Sequence, residues 1–205
     1  RSTLFPYTTL FRSRSPNHYN IPNNELSDYE NEKEILKNTK IKINGKNIDF
    51  SYYCTFKKKG LYTIEYSFRD SLRNVDYIFS DCNLLTSLDL SNFNNDDVEN
   101  MSGMFNCCKL LKYINLTNIN TENVFNMRRM FYGCKSLVSL DLSYFNTKNV
   151  IDMRDMFNGC SLLTTLNLSN FITKKVTNMS NMFNGCSLLA NLNLSNFDVK
   201  NVNVM

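Results

Sequence analysis

Histidine is nearly absent. The 205-residue chain carries one, His18, in a polar stretch near its start. General acid–base catalysis most often uses that side chain, and no nucleophile–base pair accompanies it, so the expectation is a protein that is not an enzyme. Glycine is scarce too, six residues in all, and no glycine-rich phosphate loop can be read among them. No apolar run approaches the ~20 residues that a bilayer-spanning helix needs. Charged residues make up 20% of the chain and the formal net charge is +4, ordinary for a soluble protein. Methionine is missing from the first hundred residues, and all nine fall beyond them at fixed intervals.

The interval is 26 residues, as in Met101, Met127, Met153, Met179 and Met205, with Met104, Met130, Met156 and Met182 in a second column. Cys82, Cys108, Cys134, Cys160 and Cys186 keep the same period. Phe79, Phe105, Phe131, Phe157 and Phe183 precede them, and Leu85, Leu111, Leu137, Leu163 and Leu189 follow. A fixed period in this range marks a solenoid whose rungs contact only their neighbours. Five rungs can be drawn, at 72–97, 98–123, 124–149, 150–175 and 176–201. The first is degenerate, with Leu72, Val75 and Ile78 in the Val and Met columns.

Within a rung, Val98, Met101, Met104, Phe105 and Cys108 are spaced as one face of a short helix. Gly133, Gly159 and Gly185 stand where such a helix would end in a left-handed residue. Leu111, Ile114 and Leu116 then alternate as a strand does, and the strands should stack in parallel at roughly 4.8 Å. The expected fold class is therefore an α/β repeat, with one short parallel strand and one short helix per rung.

The flanks read differently. Residues 1–13 contain TLFPYTTLFRS, which looks like the in-frame translation of a sequencing adapter. They are expected to be an artefact and are left out of the fold reasoning. Without Arg1 and Arg12 the net charge falls from +4 to +2, so no basic-protein argument survives. Residues 14–39 are polar and predict a flexible lead-in. Residues 40–71 predict a β-strand N-terminal cap, with Asn44-Gly45 and the lysine run at 57–59 as turns. The repeat occupies 72–205 and stops inside a unit, so the chain is expected to be an internal fragment of a longer protein.

The pattern Cys-x-x-Leu-x-x-Leu-x-Leu-Ser-x-Phe is close to that of leucine-rich repeats. The whole unit, from Val150 through Cys160 to Phe171, resembles the 26-residue surface-lipoprotein repeat of BspA-type leucine-rich-repeat surface proteins. The resemblance covers 72–205. It implies a right-handed solenoid in a cell-surface or secreted protein, adhering to host or matrix proteins. It also implies a membrane anchor outside this chain, and it names no catalytic residues.

Cysteine occurs seven times. Cys107-Cys108 is too tight for a zinc knuckle. The ladder cysteines sit in register with Met, Phe and Leu, so buried reduced thiols are expected, which suits an anaerobic surface or an intracellular setting. Disulfides between rungs and metal binding are the alternatives. No cofactor and no metal site are expected. Asn100, Asn115, Asn167, Asn178 and Asn193 each begin an Asn-x-Ser/Thr sequon, generated by the repeat itself. Lys148, Lys174, Lys200 and Lys175 lack the interleaved aromatics of a nucleic-acid site, so no nucleic-acid partner is expected.

The candidate ligand face is the outward side of the strands. Asp89, Asn115, Asp141, Asn167 and Asn193 form one column there. Ser87, Tyr113, Ser139, Thr165 and Asn191 form its neighbour, and Tyr144 stands beside them. The expected function is a non-catalytic binding or adhesion module for a protein or glycan ligand. An intracellular interaction scaffold, or a repeat array attached to a catalytic domain, remain the alternatives.

Overall fold

The computed structural model describes residues 2–4, 7–9, 35, 37–49, 53–55 and 60–205. His18, most of the lead-in and the lysine turn at 57–59 lie outside the described residues. Strands β1 (Ser2–Leu4) and β2 (Tyr7–Thr9) pair antiparallel with β6 (Gly60–Tyr62) and β5 (Tyr53–Thr55). The adapter-like segment thus borders the cap.

The cap proper is a three-stranded sheet. Strands β3 (Thr39–Ile43) and β4 (Lys46–Ile48) form a hairpin whose turn residues, Asn44 and Gly45, both have positive φ, 48° and 78°. That is what a two-residue type I′ turn requires. Strand β7 (Ile64–Phe68) pairs with the other edge of β3, giving the order β4-β3-β7. The cap is therefore not a simple meander. Ile41, Ile64, Tyr66 and Phe68 turn toward the repeat. Tyr66 meets Phe79 edge-on at 5.5 Å, and Phe68 meets Phe93 at 5.4 Å.

Four rungs carry a strand, β8 (Ser87–Asp89), β9 (Tyr113–Asn115), β10 (Ser139–Asp141) and β11 (Thr165–Asn167). β8 pairs in parallel with β9, and β10 with β11, each in the register of the repeat. The two pairs are separate ladders. On the far side of each rung, single parallel bridges run Asn74–Asn100–Asn126–Asp152–Asn178–Val204.

The expected helix is not there. Among the described residues only Ile35, Lys37 and Asn38 are helical, and all three precede the cap. The helix-like spacing is produced instead by a run of tight turns. In the fourth rung, Met156, Asn158 and Cys160 donate to the carbonyls of Met153, Asp155 and Phe157, three residues back. The alternate amides of Met153, Asp155, Phe157 and Gly159 donate to the next rung, to Asn178, Ser180, Met182 and Asn184, at 2.8–3.0 Å. A helix would have kept those amides for itself. The turns need a left-handed residue every fourth position. One such column is Tyr77, Gly103, Arg129, Asp155 and Asn181, and the other is Asp81, Cys107, Gly133, Gly159 and Gly185. Non-glycine residues there cost on the order of 1 kcal/mol or more, and the cross-rung bonds offset that.

The core is a set of columns. Met127, Met130, Phe131, Cys134 and Leu137 are fully buried, as are their equivalents in the fourth rung. Phe79, Phe105, Phe131, Phe157 and Phe183 stack ring on ring with centroids 5.3–5.9 Å apart. Offset stacking of this kind adds about 0.5–1.5 kcal/mol per pair beyond burial. Two polar columns clasp the rungs together. Thiols of Cys108, Cys134, Cys160 and Cys186 donate to the carbonyls of Phe79, Phe105, Phe131 and Phe157 in the preceding rung, at 3.0–3.2 Å. Buried Thr121, Thr147 and Thr173 each accept the amide of a following-rung residue at 2.7 Å and donate back to its carbonyl.

Candidate functional site

Each rung strand buries its middle residue, Leu88, Ile114, Leu140 or Leu166, wholly or in large part, so the flanking residues point outward. The column Asp89, Asn115, Asp141, Asn167 and Asn193 closes turns. Each Oδ1 accepts the backbone N–H two residues on, from Ser91, Thr117, Ser143, Ser169 and Ser195, at 2.9–3.1 Å. These are Asx turns, the local bond that Asn and Asp make well. Asn167 also donates to Asp141 at 3.1 Å. The Ser91 and Ser143 bonds hold the carboxyls of Asp89 and Asp141 below the usual carboxylate range. Both are therefore ionised at neutral pH, and their preferred geometry is set by the fold.

The same bond explains the sequons. Asn100 and Asn178 accept from Ser102 and Ser180 at 3.0 Å, completing the set of five. Asn-x-Ser/Thr here is turn chemistry.

In the neighbouring column, Ser87 is in register with Tyr113, and Ser139 with Thr165. Tyr113 is 61% exposed and is the one aromatic of that column. Tyr144 is 62% exposed, but it does not sit among the strand residues. It lies three residues past β10 and lines an open groove of about 610 Å³ at the corner of rungs three to five. None of Tyr113, Asp141 and Asn167 lines that groove. Tyr144 thus stands in a groove that adjoins the strand face, since Asp141 and Asn167 bond the amides of the groove residues Ser143 and Ser169. Asp89 lines a second recess, about 400 Å³, between β7 of the cap and the first rung.

Other corners are closed on themselves. Arg129 pairs with Asp155 at 3.2 Å and lies over the Tyr132 ring, while Arg154 approaches Asp152 at 3.6 Å. Lys148 is paired with Glu122 and holds that carboxyl below its usual range. Burial pushes the thiols of Cys108, Cys134 and Cys160 well up, away from the reactive thiolate. Among the described residues no group of three His, Cys, Asp or Glu side chains is placed to hold a metal ion. No helix among them is long and apolar enough to cross a membrane.

Sequence reasoning missed the groove and, with it, Ile172. The signal was present in the rung alignment. Residues 92, 118, 144, 170 and 196 read Asn, Asn, Tyr, Asn, Asn, and residues 94, 120, 146, 172 and 198 read Asn, Asn, Asn, Ile, Asp.

No curated protein and no solved structure matches this chain. A family model does, over residues 64–113 and again over 108–205. Together these matches span the first rung to the last and more than half of the chain, so the chain belongs to the family described as "Mycoplasma protein of unknown function, DUF285".

Proposed function

We propose that this chain is a binding module of a BspA-type leucine-rich-repeat surface protein, a right-handed solenoid that recognises a protein or glycan and carries out no chemistry. The observation that carries the reading is where its polar side chains are spent. Asn, Thr and Cys columns are taken up in turns and in bonds between rungs. Large exposed side chains such as Tyr113 and Tyr144 make no such bond among the described residues. Aromatic side chains of this kind are frequent binding hot spots. The cell-surface setting rests on the resemblance of the repeat.

The test is a solid-phase screen of the full chain against matrix proteins and glycan arrays, followed by Tyr113→Ala. Saturable binding that Tyr113→Ala weakens about tenfold or more supports the reading. Absence of saturable binding to every ligand class would overturn it. Antibody against the repeat should also label intact cells before permeabilisation, and labelling only afterwards would favour an intracellular scaffold.

A further inference from the structure

The repeat states what each position needs, so a departure from it is informative. At the position of Tyr144 the other rungs place Asn. Asn118 donates to the Ser91 carbonyl at 3.4 Å, Asn170 donates to that of Ser143, and Asn196 donates to that of Ser169 at 3.1 Å. Tyr144 has no amide and gives up this clasp. At the position of Ile172 the other rungs close an Asx turn. Asn120, Asn146 and Asp198 accept the amides of Glu122, Lys148 and Lys200 at 3.0–3.2 Å. Ile172 gives up that turn bond. Both departures replace a small polar residue with a large apolar one, both remain about half exposed or more (62% and 48%), and both line the same groove. The buried rings of Phe145 and Phe171 form its floor.

Charge changes sign at the same place. The column running Asp96, Glu122, Lys148, Lys174, Lys200 is acidic in the first two rungs and basic in the three that build the groove. Glu122 neutralises Lys148. Among the described residues Lys174 and Lys200 have no carboxylate within ion-pair distance. Asp198 is the one acidic side chain lining the groove, held by the Lys200 amide.

The geometry points to a docking groove for an acidic peptide segment, one apolar side chain seated between Tyr144 and Ile172 and a carboxylate against Lys174, the groove-lining lysine that no carboxylate pairs among the described residues. This rests on the binding-module reading and specifies one of its ligands. An aliphatic wall such as Ile172 suits an apolar peptide side chain better than a sugar ring, which is why a peptide is favoured over an anionic glycan.

The test uses the full chain and a short fluorescein-labelled peptide in which Asp and Glu alternate with Leu and Phe. Comparators are the same peptide with Lys for its acids, the same with Ser for Leu and Phe, and a hyaluronan oligosaccharide. The chain should bind the acidic apolar peptide over all three. Tyr144→Asn and Ile172→Asn should each weaken binding about tenfold or more. These variants restore the residue the repeat uses elsewhere, so Tm should hold or rise, and a loss of binding cannot be ascribed to unfolding. Lys174→Glu should weaken binding and flatten its salt dependence. Failure of the peptide to bind, binding indifferent to both restoring variants, or a preference for hyaluronan would each overturn the proposal. A chain that binds a matrix protein through Tyr113 and ignores the peptide keeps the module reading and loses the groove. A chain that binds nothing loses both.

Discussion

Thr147 provides the sharpest check on how the rungs are joined. Its side chain is fully buried, and its hydroxyl both accepts the Ile172 amide at 2.7 Å and donates to the Ile172 carbonyl at 3.0 Å. Thr147→Val keeps the shape and removes both bonds. Leaving a buried donor unsatisfied costs about 1–3 kcal/mol. The abandoned carbonyl adds less, because Ile172 is half exposed. The expected loss is about 2–3 kcal/mol. Thr147→Ser keeps the hydroxyl and deletes one buried methyl, which costs about 1 kcal/mol. The order of stability should therefore be wild type, Ser, Val, although hydrophobicity alone would put Val first. Urea unfolding followed by circular dichroism gives the order. Amide exchange at Ile172 should accelerate in the Val variant and stay slow in the Ser variant. A Val variant as stable as wild type would refute the idea that the threonine column holds rungs together by hydrogen bonds.

Three further outcomes are expected. Phe131→Ala, in the middle of the ring stack, should cost about 3–5 kcal/mol by urea titration, and a loss under about 1 kcal/mol would mean that the stack contributes little. The buried thiols have folded pKa values raised by desolvation above the unfolded value of about 8.5. Their stabilising contribution is complete below that value and is lost as pH rises above it. Under reducing conditions stability should fall by up to about 1.4 kcal/mol per pH unit for each such thiol, and Cys134→Ala should shallow the slope. Gly103 has φ +57°, and a Cβ there would run into the Tyr77 ring, so Gly103→Ala should lower Tm clearly. Gly159→Ala, whose Cβ would stand 3.5 Å from Gly133 Cα, should carry the backbone strain alone and cost less.

The repeat period, the core columns and the Asn44-Gly45 hairpin were legible in the sequence because each follows from spacing or from a residue's backbone preference. The helix was misread for a physical reason. Positions i, i+3 and i+7 line one side of a helix, but a chain of three-residue turns brings the same positions inward. What separates the two is the pair of left-handed columns four residues apart. Gly103, Asp155 and Asn181 hint at one of them, while Tyr77 and Arg129 conceal it. The candidate face was half legible. Its outward direction follows from the strand alternation, while the Asx turns of its Asn and Asp column are hidden because they leave the same composition as a polar surface. The groove is hidden in the sequence because its information lies in two exceptions to a regular pattern.

The cross-rung clasps join residues 25 to 29 positions apart, so their partners are set by the repeat length and not by which rung they occupy. A recombination event that inserts or deletes one whole unit restores every donor opposite an acceptor of the same kind. A shift of one residue misaligns all the columns downstream at once. Genes for such a stack can therefore drift in length by whole units at little cost to folding. The corner groove is not so free. An extra unit between rungs three and four would part Tyr144 from Ile172, whereas one added before rung three would leave them lining the same groove. Lineages that vary in rung number should vary elsewhere and keep that pair of rungs adjacent.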